Sequence, residues 1–456
     1  MRHRVRVVAA LAAVAVTGLT GCTHGSNAPP ATGTSAAPST AAPAATGDLV
    51  GDAFTVLGPW TGADQSAMQA VVTRFDRDTG AHGRYVAASD ETEALSTDVP
   101  SGIGPDVAIV SGPAELASYV NADELQPLDA NAQKAVAANF AGEWAALSTV
   151  DGAVFGVPVN ATDESVLWDD SATLKAAGLP NPPASWAELI SDGQQLSHSG
   201  LVAPVALAGG DAWTLTDWFE NVYLRTAGLQ AYDRLSTHQT AWTDPSVKRA
   251  LKVLLKLERA ASVVGPASEA AIRSYPRSLG AVFDSKPISA FVYGPGSIAT
   301  ALAADKDAAA ATAQLFAFPS IDGSTPVAEV SAQYAVGFST DPAVQPFLHF
   351  LATPEAARIL VGTSGSDLVS PNRDVAPSAY ASELTRQLAQ QLTQLGDAVR
   401  PDLSELAPPP FGGTGRHSEQ ADLRRLLLAK RITKHTIANV QQRLEQDAAA
   451  TTGWPS

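Results

Sequence analysis

The amino-acid sequence predicts an α/β protein in which helices cover both faces of the sheets. Three observations support this prediction. Short apolar runs typical of buried strands, such as 105–110, alternate with stretches whose apolar residues recur at helical spacing, such as 63–80. About 400 residues follow the first 47, which is enough for two domains or lobes with a sizeable core. No repeat of about 20 to 50 residues is visible, which argues against a solenoid or a propeller.

The N-terminus has the composition of an export signal. Arg2, Arg4 and Arg6 precede the apolar segment 7–16, and small residues follow it at 20 and 21. This apolar segment is too short to span a bilayer as a helix, for which about 20 residues are needed. We therefore expect residues 1–21 to be a signal peptide and not a lasting anchor.

Cys22, the only cysteine in the chain, directly follows this segment. A single thiol cannot form an intramolecular disulfide or a cysteine metal cluster. The residues Leu-Thr-Gly-Cys at 19–22 resemble the bacterial lipobox, in which the cysteine becomes the lipidated first residue of the mature protein. Several acyl chains on one residue hold a protein at a membrane far better than one chain. An incidental cysteine in an ordinary secreted protein is the alternative.

The segment from 23 to 47 consists largely of Ala, Pro, Ser, Thr and Gly and contains no Asp, Glu, Lys or Arg. Such a segment cannot bury a core, so we expect residues 22–47 to form a disordered tether. Removal of residues 1–21 takes away three arginines and no acid, which changes the formal net charge from -16 to about -19. This acidity argues against a nucleic-acid partner, because such binding relies on Lys and Arg.

The chain after the tether reads as alternating strands and helices. Strands are expected at 53–60, 83–88, 105–110, 154–160, 164–170 and 326–338, and helices at 63–80, 184–199, 214–227, 245–261, 343–352 and 354–361, with a long amphipathic helix over 418–450.

Several of these segments resemble, in order, extracellular solute-binding proteins of family 1, the receptor lipoproteins of carbohydrate-importing ABC transporters, which include maltose-binding-protein-like receptors. The most specific block is "VDGAVFGVPVNATDESVLWDDSATLKAAGLPNPPASWAELI" at 150–190. Further pieces are "GPDVAIV", "TDWFENVYLRTAG" with "WTDPSVKRAL", "FLATPEAARIL" and "LVSPNRDV". Together these pieces span roughly residues 50–450.

The resemblance implies a two-lobed, type II periplasmic-binding-protein-like fold with a ligand cleft at the hinge. It assigns residues 48–160 and about 320–367 to an N-terminal lobe, and residues 161–319 and about 368–452 to a C-terminal lobe. It also implies a sugar or oligosaccharide ligand of the α-glucoside kind, ABC permease subunits as membrane partners, and a monomer anchored through Cys22 on the outer face of the cytoplasmic membrane. No cofactor and no metal are expected.

A sugar offers hydroxyl groups and an apolar C–H face, which suit carboxylates and aromatic rings. Trp60 and Asp64 follow the first strand, where the family places ligand groups. Glu115 lies just past the third strand, and Thr162 and Asp163 lie in a hairpin near the first expected lobe crossover. A core tryptophan, first-turn helix acids and ordinary turn residues are the structural alternatives.

The second half of the chain supplies the remaining candidates. Trp213 and Asp217 follow two glycines in a loop-like stretch ahead of a helix, and Glu329 and Tyr334 lie on a return strand. Late in the chain, Phe411 could close one edge of the cleft.

The turn "YGPG" at 293–296 has a GxGxxA spacing, but an isolated match of this kind is a weak sign of nucleotide binding. The resemblance places a stacking tryptophan of related receptors at Gly296, and Tyr293 could supply the aromatic ring instead.

No motif of a hydrolase is present: HExxH, GxSxG and a Cys-His arrangement are all missing, and the eight histidines are scattered. We therefore expect a receptor and not an enzyme. Two alternatives remain open at this stage. One is a sugar-sensing lipoprotein that does not transport, and the other is a secreted glycoside hydrolase, since two acids distant in sequence can meet across a cleft.

Overall fold

The computed structural model describes residues 49–88, 91–211, 213–298, 312–413 and 415–455. The described residues belong to one compact unit. The expected signal peptide (1–21), Cys22 and the tether (22–47) lie outside the described residues.

Twelve strands can be assigned within the described part of the chain. In chain order they are β1 (Ala53–Gly58), β2 (His82–Ala87), β3 (Val107–Ser111), β4 (Thr149–Val150), β5 (Ala153–Val154), β6 (Gly156–Asp163), β7 (Val166–Asp170), β8 (Val205–Ala206), β9 (Phe291–Tyr293), β10 (Ala313–Ala317), β11 (Ala328–Gly337) and β12 (Val399–Pro401).

Helices fill most of the connections between these strands. The described helices are α1 (Gly62–Thr79), α2 (Glu91–Asp98), α3 (Gly112–Asn121), α4 (Ala130–Asn139), α5 (Gly142–Ala146), α6 (Ser171–Ala176), α7 (Trp186–His198), α8 (Trp213–Ala227), α9 (Leu229–Ser236), α10 (Pro245–Glu258), α11 (Ala261–Val264), α12 (Ala267–Ala270), α13 (Tyr275–Phe283), α14 (Val344–Leu351), α15 (Pro354–Gly362), α16 (Glu383–Leu395), α17 (Leu403–Leu406), α18 (Pro409–Gly412), α19 (Glu419–Leu427) and α20 (Lys434–Ala449), with a 3₁₀ turn at Pro377–Ala379.

The strands form two main sheets, which confirms the predicted α/β class. The larger sheet has the order β12-β11-β3-β1-β2, with β6 also paired to β11, and the smaller sheet has the order β10-β7-β9-β8. Strand β1 is parallel to both of its neighbours, β2 and β3. The chain runs from β1 to β2 on one side and then crosses to β3 on the other side of β1, and such a change of direction creates a crevice beyond the carboxyl ends of β1 and β3.

The buried apolar residues form two clusters, which we call the core of the larger sheet and the core of the smaller sheet. Val56, Ile109 and Phe347 belong to the core of the larger sheet, and Leu167, Trp218 and Phe291 to the core of the smaller one. The first cluster also includes Val166, Trp168 and Val292 from one face of the smaller sheet. The chain passes between the sheets after β6, between β10 and β11, and after β12.

The third passage between the sheets follows β12, which ends at Pro401, and so comes later in the chain than the expected lobe boundary near residue 368. Strand β12 pairs in parallel with the start of β11, and Leu388 and Val399 are buried in the core of the larger sheet. Leu403, two residues after β12, is the first residue of this region in the core of the smaller sheet. Residues 368–401 therefore pack with the larger sheet, because β12 completes its edge.

The predicted single helix over 418–450 is wrong. The structure has α19 and α20 with a break at 428–433. Thr433 starts α20 by accepting a hydrogen bond from the backbone N–H of His435, and its own backbone N–H donates to the hydroxyl of Thr436. This local capping favours a new helix start over a continuous helix. Among the described residues, no helix is both long and apolar enough to cross a membrane.

Glu258, at the end of α10, carries a buried carboxylate whose Oε2 has no hydrogen-bond partner among the described residues. Burial raises the pKa of this carboxyl from 4.5 to about 8, although the charge of Arg259 acts in the opposite direction. The folded protein therefore binds more protons than the unfolded chain between these two values. Folding stability falls as the pH rises through that window.

We expect Glu258→Gln to raise the melting temperature at pH 8 by about 2 to 4 °C and to change it little at pH 5. The reason is that glutamine stays neutral where the buried glutamate must ionise. Differential scanning calorimetry at both pH values measures the effect, with the exposed Glu269→Gln as control. An equal change at both pH values would show that ionisation of Glu258 is not the cause.

Candidate functional site

A cavity of about 340 Å³ lies at the carboxyl ends of β1 and β3, in the crevice created by the strand order. Residues at or just beyond the ends of β1, β3, β6 and β9 line this cavity, as do residues of β11. Its lining residues are Pro59, Trp60, Asp64, Ser111, Gly112, Asn160, Ala161, Thr162, Asp163, Gly296, Ser297, Ser331, Ala332, Gln333, Asp367, Leu368, Val369, Leu388 and Glu405. We call this cavity the cleft. Because Gly296 and Ser297 follow β9 of the smaller sheet, both sheets contribute to it.

Trp60 lines the cleft at the end of β1 and is held by three hydrogen bonds. Its backbone N–H donates to the hydroxyl of Tyr85 at 2.9 Å, and that hydroxyl donates to the Trp60 carbonyl at 3.2 Å. Its indole Nε1 donates to Oε1 of Gln333 at 2.9 Å. Only 7% of the side chain is exposed. The indole is therefore fixed in position before a ligand arrives.

Asp64 stands in the first turn of α1, where the helix dipole favours a negative charge. Its Oδ1 accepts a hydrogen bond from the backbone N–H of Asp367 at 3.1 Å. This bond joins the start of α1 to the segment 367–369, which also lines the cleft.

Thr162 and Asp163 line the cleft at the end of β6. Oδ1 of Asp163 accepts from the backbone N–H of Ser165, while its Oδ2 has no hydrogen-bond partner among the described residues. Burial raises the pKa of Asp163 to about 7. An unpartnered, buried carboxyl at a cavity wall can bond to a ligand hydroxyl without losing an existing hydrogen bond.

Gly296 reaches the same point from the smaller sheet. Its backbone N–H donates to the carbonyl of Asp163 at 2.8 Å. A Cβ at this position would lie only 3.0 Å from a methyl group of Leu388. Glycine therefore lets this backbone bond to β6 without crowding Leu388 of α16.

Several lining residues were missed by the sequence analysis. Asn160 joins two segments of the cleft, since its Nδ2 donates to Gln333 and its Oδ1 accepts from the backbone N–H of Val369. Asp367 and Glu405 add two carboxyl groups. Asn160 ends a predicted strand, and this position could have indicated that it reaches the cleft. Asp367 and Glu405 lie in segments for which no strand was predicted, so the sequence provides no such indication for them.

The charged residues among the described lining of the cleft are all acidic. Asp64, Asp163, Asp367 and Glu405 line it, and no Lys, Arg or His is found among its described lining residues. Burial, followed by the negative charge of Asp402, raises the pKa of Glu405 well above its usual range. Such a wall offers hydrogen-bond acceptors to hydroxyl or ammonium donors and repels anions.

Four candidates from the second half of the chain lie near the cleft but do not line it. Tyr293 is buried in β9 and donates its hydroxyl to the carbonyl of Glu164 at 2.8 Å. Asp217 and Glu329 are buried among other polar groups, and Tyr334 is buried in the core of the larger sheet. These four side chains therefore do not line the cleft in this structure, and their contact with a ligand stays a prediction.

The last three candidates, Glu115, Trp213 and Phe411, do not line the cleft either. Glu115 accepts hydrogen bonds from the Ser111 backbone and the Thr92 hydroxyl, so it caps its own helix, α3. Trp213 is the first residue of α8, not part of a loop, and its ring packs edge-on against Tyr275 at 4.9 Å.

Phe411 is fully buried in α18 and packs against Trp242 at 5.2 Å and Trp454 at 5.3 Å. It belongs to the core of the smaller sheet and not to the edge of the cleft.

Comparison with known proteins places the chain among solute receptors. The family model of bacterial extracellular solute-binding proteins matches residues 59–358. The osmoprotective compounds-binding protein GgtB of Synechocystis sp. is 25% identical over 81% of this chain and 88% of its own length. The alpha-glucosides-binding periplasmic protein AglE of Rhizobium meliloti is 25% identical over 80% of this chain and 82% of its own length.

Two solved structures share the fold at low sequence identity. The bacterial solute receptor AcbH, described as preferring β-D-galactopyranose, superposes with a TM-score of 0.71 at 17% identity, over 88% of this chain and 99% of its own. A chitin oligosaccharide binding protein superposes with a TM-score of 0.67 at 20% identity, over 87% of this chain and 99% of its own.

Proposed function

Because the chain belongs to the family of bacterial extracellular solute-binding proteins, we propose that it captures a sugar or oligosaccharide in the cleft and delivers it to an ABC permease. The observation that carries this proposal is the lining of the cleft: a fixed tryptophan and four carboxyl groups, without a basic side chain among its described residues. The ligand-binding residues of the proposal are Trp60, Asp64, Asn160, Thr162, Asp163 and Gln333.

The chemistry of this lining suits a polyhydroxylated ligand. Carboxylates accept stronger hydrogen bonds from hydroxyl groups than neutral acceptors do. Trp60 adds aromatic surface, which favours contact with the C–H face of a sugar ring. An α-glucoside is our preferred ligand, as the name of AglE from Rhizobium meliloti suggests for that relative.

The division of the strands into two sheets, joined by three passages of the chain, supports closure about a hinge. We assign the described residues of 49–163 and 328–401 to one lobe, and those of 166–317 and 403–452 to the other, according to the sheet to which they belong or on which they pack. A ligand that contacts both lobes favours the closed form by the difference in its affinity for the two forms. The closed form then docks on the permease.

Anchoring completes the proposal. The lipobox-like residues 19–22 support lipidation of Cys22, and the segment 23–47 would act as a flexible tether. The receptor would then work as a monomer on the outer face of the cytoplasmic membrane.

A thermal-shift screen tests the ligand class. The purified protein is heated with about fifty sugars and, as controls, with amino acids, peptides and polyamines, each near 1 mM. Ligand at about 100 times its Kd stabilises the folded state by about 2.7 kcal/mol, so we expect at least one sugar to raise the melting temperature. A rise with a polyamine or an amino acid alone would contradict the sugar proposal. Hydrolysis of the sugar during incubation would indicate a glycoside hydrolase instead.

A further inference from the structure

A group of three buried carboxyl side chains lies where the chain passes between the two sheets. Glu220 comes from α8, Glu329 from β11, and Asp402 from the residue that directly follows β12. One carboxylate oxygen from each residue lies within 4.8 Å of the corresponding oxygens of the other two. We call Glu220, Glu329 and Asp402 the three-carboxylate group. None of the three lines the cleft.

The hydrogen bonds to this group leave one oxygen without an N–H or hydroxyl donor. The Tyr232 hydroxyl donates to Oε1 of Glu329 at 2.6 Å, and Asn221 donates to Oε2 of Glu329 at 2.6 Å. The backbone N–H of Leu403 donates to Oε2 of Glu220 at 2.6 Å. Oε1 of Glu220 is buried and accepts no hydrogen bond from an N–H or hydroxyl group among the described residues, although the Glu220 carboxyl can share a proton with Glu329 or Asp402. A buried acceptor that has lost water without a replacement is costly, so it marks a position where a further group can bind.

Other acids surround the group. Glu419 is completely buried, and neither of its carboxylate oxygens has a hydrogen-bond partner in the described part of the chain. Burial, followed by the negative charges of Glu220 and Asp402, raises the pKa of Glu419 well above its usual range. Glu419 is therefore a fourth buried acid close to the three-carboxylate group.

Arg225 is the nearby basic residue, and its bonds go elsewhere. Its guanidinium donates to the carbonyl and side-chain oxygens of Asn221 and to the carbonyl of Val327. These partners are neutral, so Arg225 makes no direct hydrogen bond to the three-carboxylate group that would offset its charge.

We propose that the three-carboxylate group binds a hard divalent cation such as Ca²⁺. This ion takes six to eight oxygen ligands at about 2.3 to 2.6 Å, so two oxygens on one ion lie no more than about 5 Å apart. The mutual spacing of the three carboxylate oxygens, within 4.8 Å, meets that limit. The carbonyl oxygen of Pro401, 3.0 Å from the Tyr232 hydroxyl, supplies a further oxygen beside the group. The three side chains offer no sulfur or nitrogen ligand, which disfavours zinc.

Such an ion joins segments that belong to different lobes in our assignment. Glu220 lies on α8, whose apolar residues pack in the core of the smaller sheet. Glu329 lies on β11, a strand of the larger sheet. Asp402 lies at the third passage between the sheets. The ion therefore stiffens the hinge region and leaves the cleft free for the ligand.

Cation binding can be measured on the unmodified protein without any sugar. After treatment with EDTA and its removal, CaCl₂ is added up to 5 mM, since extracellular sites commonly bind Ca²⁺ with Kd near 10⁻⁴ to 10⁻³ M. We expect a saturable rise in melting temperature of at least about 2 °C, with sodium chloride of equal ionic strength as control. Terbium should show aromatic-sensitised luminescence that Ca²⁺ displaces, because Tyr232 contacts both glutamates.

Three variants locate the site. Glu220→Gln and Asp402→Asn keep the side-chain shape but remove one charge each, and both should abolish the Ca²⁺ response and the terbium signal. Glu258→Gln, the control, neutralises a buried glutamate outside the group and should keep both. The proposal is overturned if the unmodified protein shows neither response, since shared protons alone would then stabilise the group. It is equally overturned if both responses survive in Glu220→Gln and Asp402→Asn.

Discussion

Replacing Trp60 with alanine should weaken sugar binding by at least about 30-fold, which corresponds to about 2 kcal/mol. Trp60 is the only tryptophan among the described lining residues of the cleft; its indole donates to Gln333, and its backbone is bonded to Tyr85. Its removal takes away a fixed aromatic surface that the ligand would otherwise contact without an ordering cost. Isothermal titration calorimetry with the sugar from the thermal-shift screen measures the loss.

Trp213→Ala is the matched control for this experiment. Trp213 is a partly buried tryptophan that packs on Tyr275 outside the cleft, so its removal should change the affinity by less than about threefold. Trp60→Phe keeps an aromatic ring but loses the hydrogen bond to Gln333 and part of the aromatic surface, so the reduction in affinity should be intermediate. If Trp213→Ala reduces the affinity and Trp60→Ala does not, the ligand binds elsewhere and our assignment of the cleft is wrong.

Cys22→Ala should abolish lipidation while leaving sugar binding unchanged. Lipidation at this position needs the cysteine thiol, which alanine lacks. Fractionation of the producing cells, followed by metabolic labelling with a fatty acid, measures attachment and lipidation separately. We expect the label to disappear and the protein to be released or to remain unprocessed.

Ser26→Ala serves as the control for Cys22→Ala, because it changes a neighbouring tether residue without removing a thiol. It should keep both the label and the membrane location. A Cys22→Ala protein that stays lipidated at the membrane would refute the lipobox interpretation, although it would not affect the assignment of the cleft.

The fold and one wall of the cleft could be predicted because they depend on local sequence. Trp60 and Asp64 follow a strand with clear apolar character, and Thr162 and Asp163 end another. The carboxyl ends of strands in such a sheet face the crevice, so position along the chain was enough to place these four residues on it.

The other candidates do not line the cleft, because the direction of their side chains depends on tertiary structure. Tyr334 directly follows the cleft residue Gln333, and neighbouring side chains on a strand point to opposite faces. The register of β11 against β6 also shifts between these two residues, and such a bulge has no signature in this sequence. For Trp213, the preceding glycines suggested a loop, but α8 begins at the tryptophan itself.

The three-carboxylate group could not be predicted from sequence at all. Glu220, Glu329 and Asp402 are far apart in the chain, and each reads as an ordinary acid in its own segment. They meet because β11 and β12 are paired at the edge of the larger sheet and α8 packs beside them.

The most direct test of our account is a crystal structure of the protein with the sugar that gives the largest thermal shift. We predict that the sugar lies in the cleft at the carboxyl ends of β1 and β3, in contact with Trp60 and hydrogen-bonded to Asp64 or Asp163. A sugar bound in another cavity, such as the groove between β10 and the glutamines of α16, would contradict it.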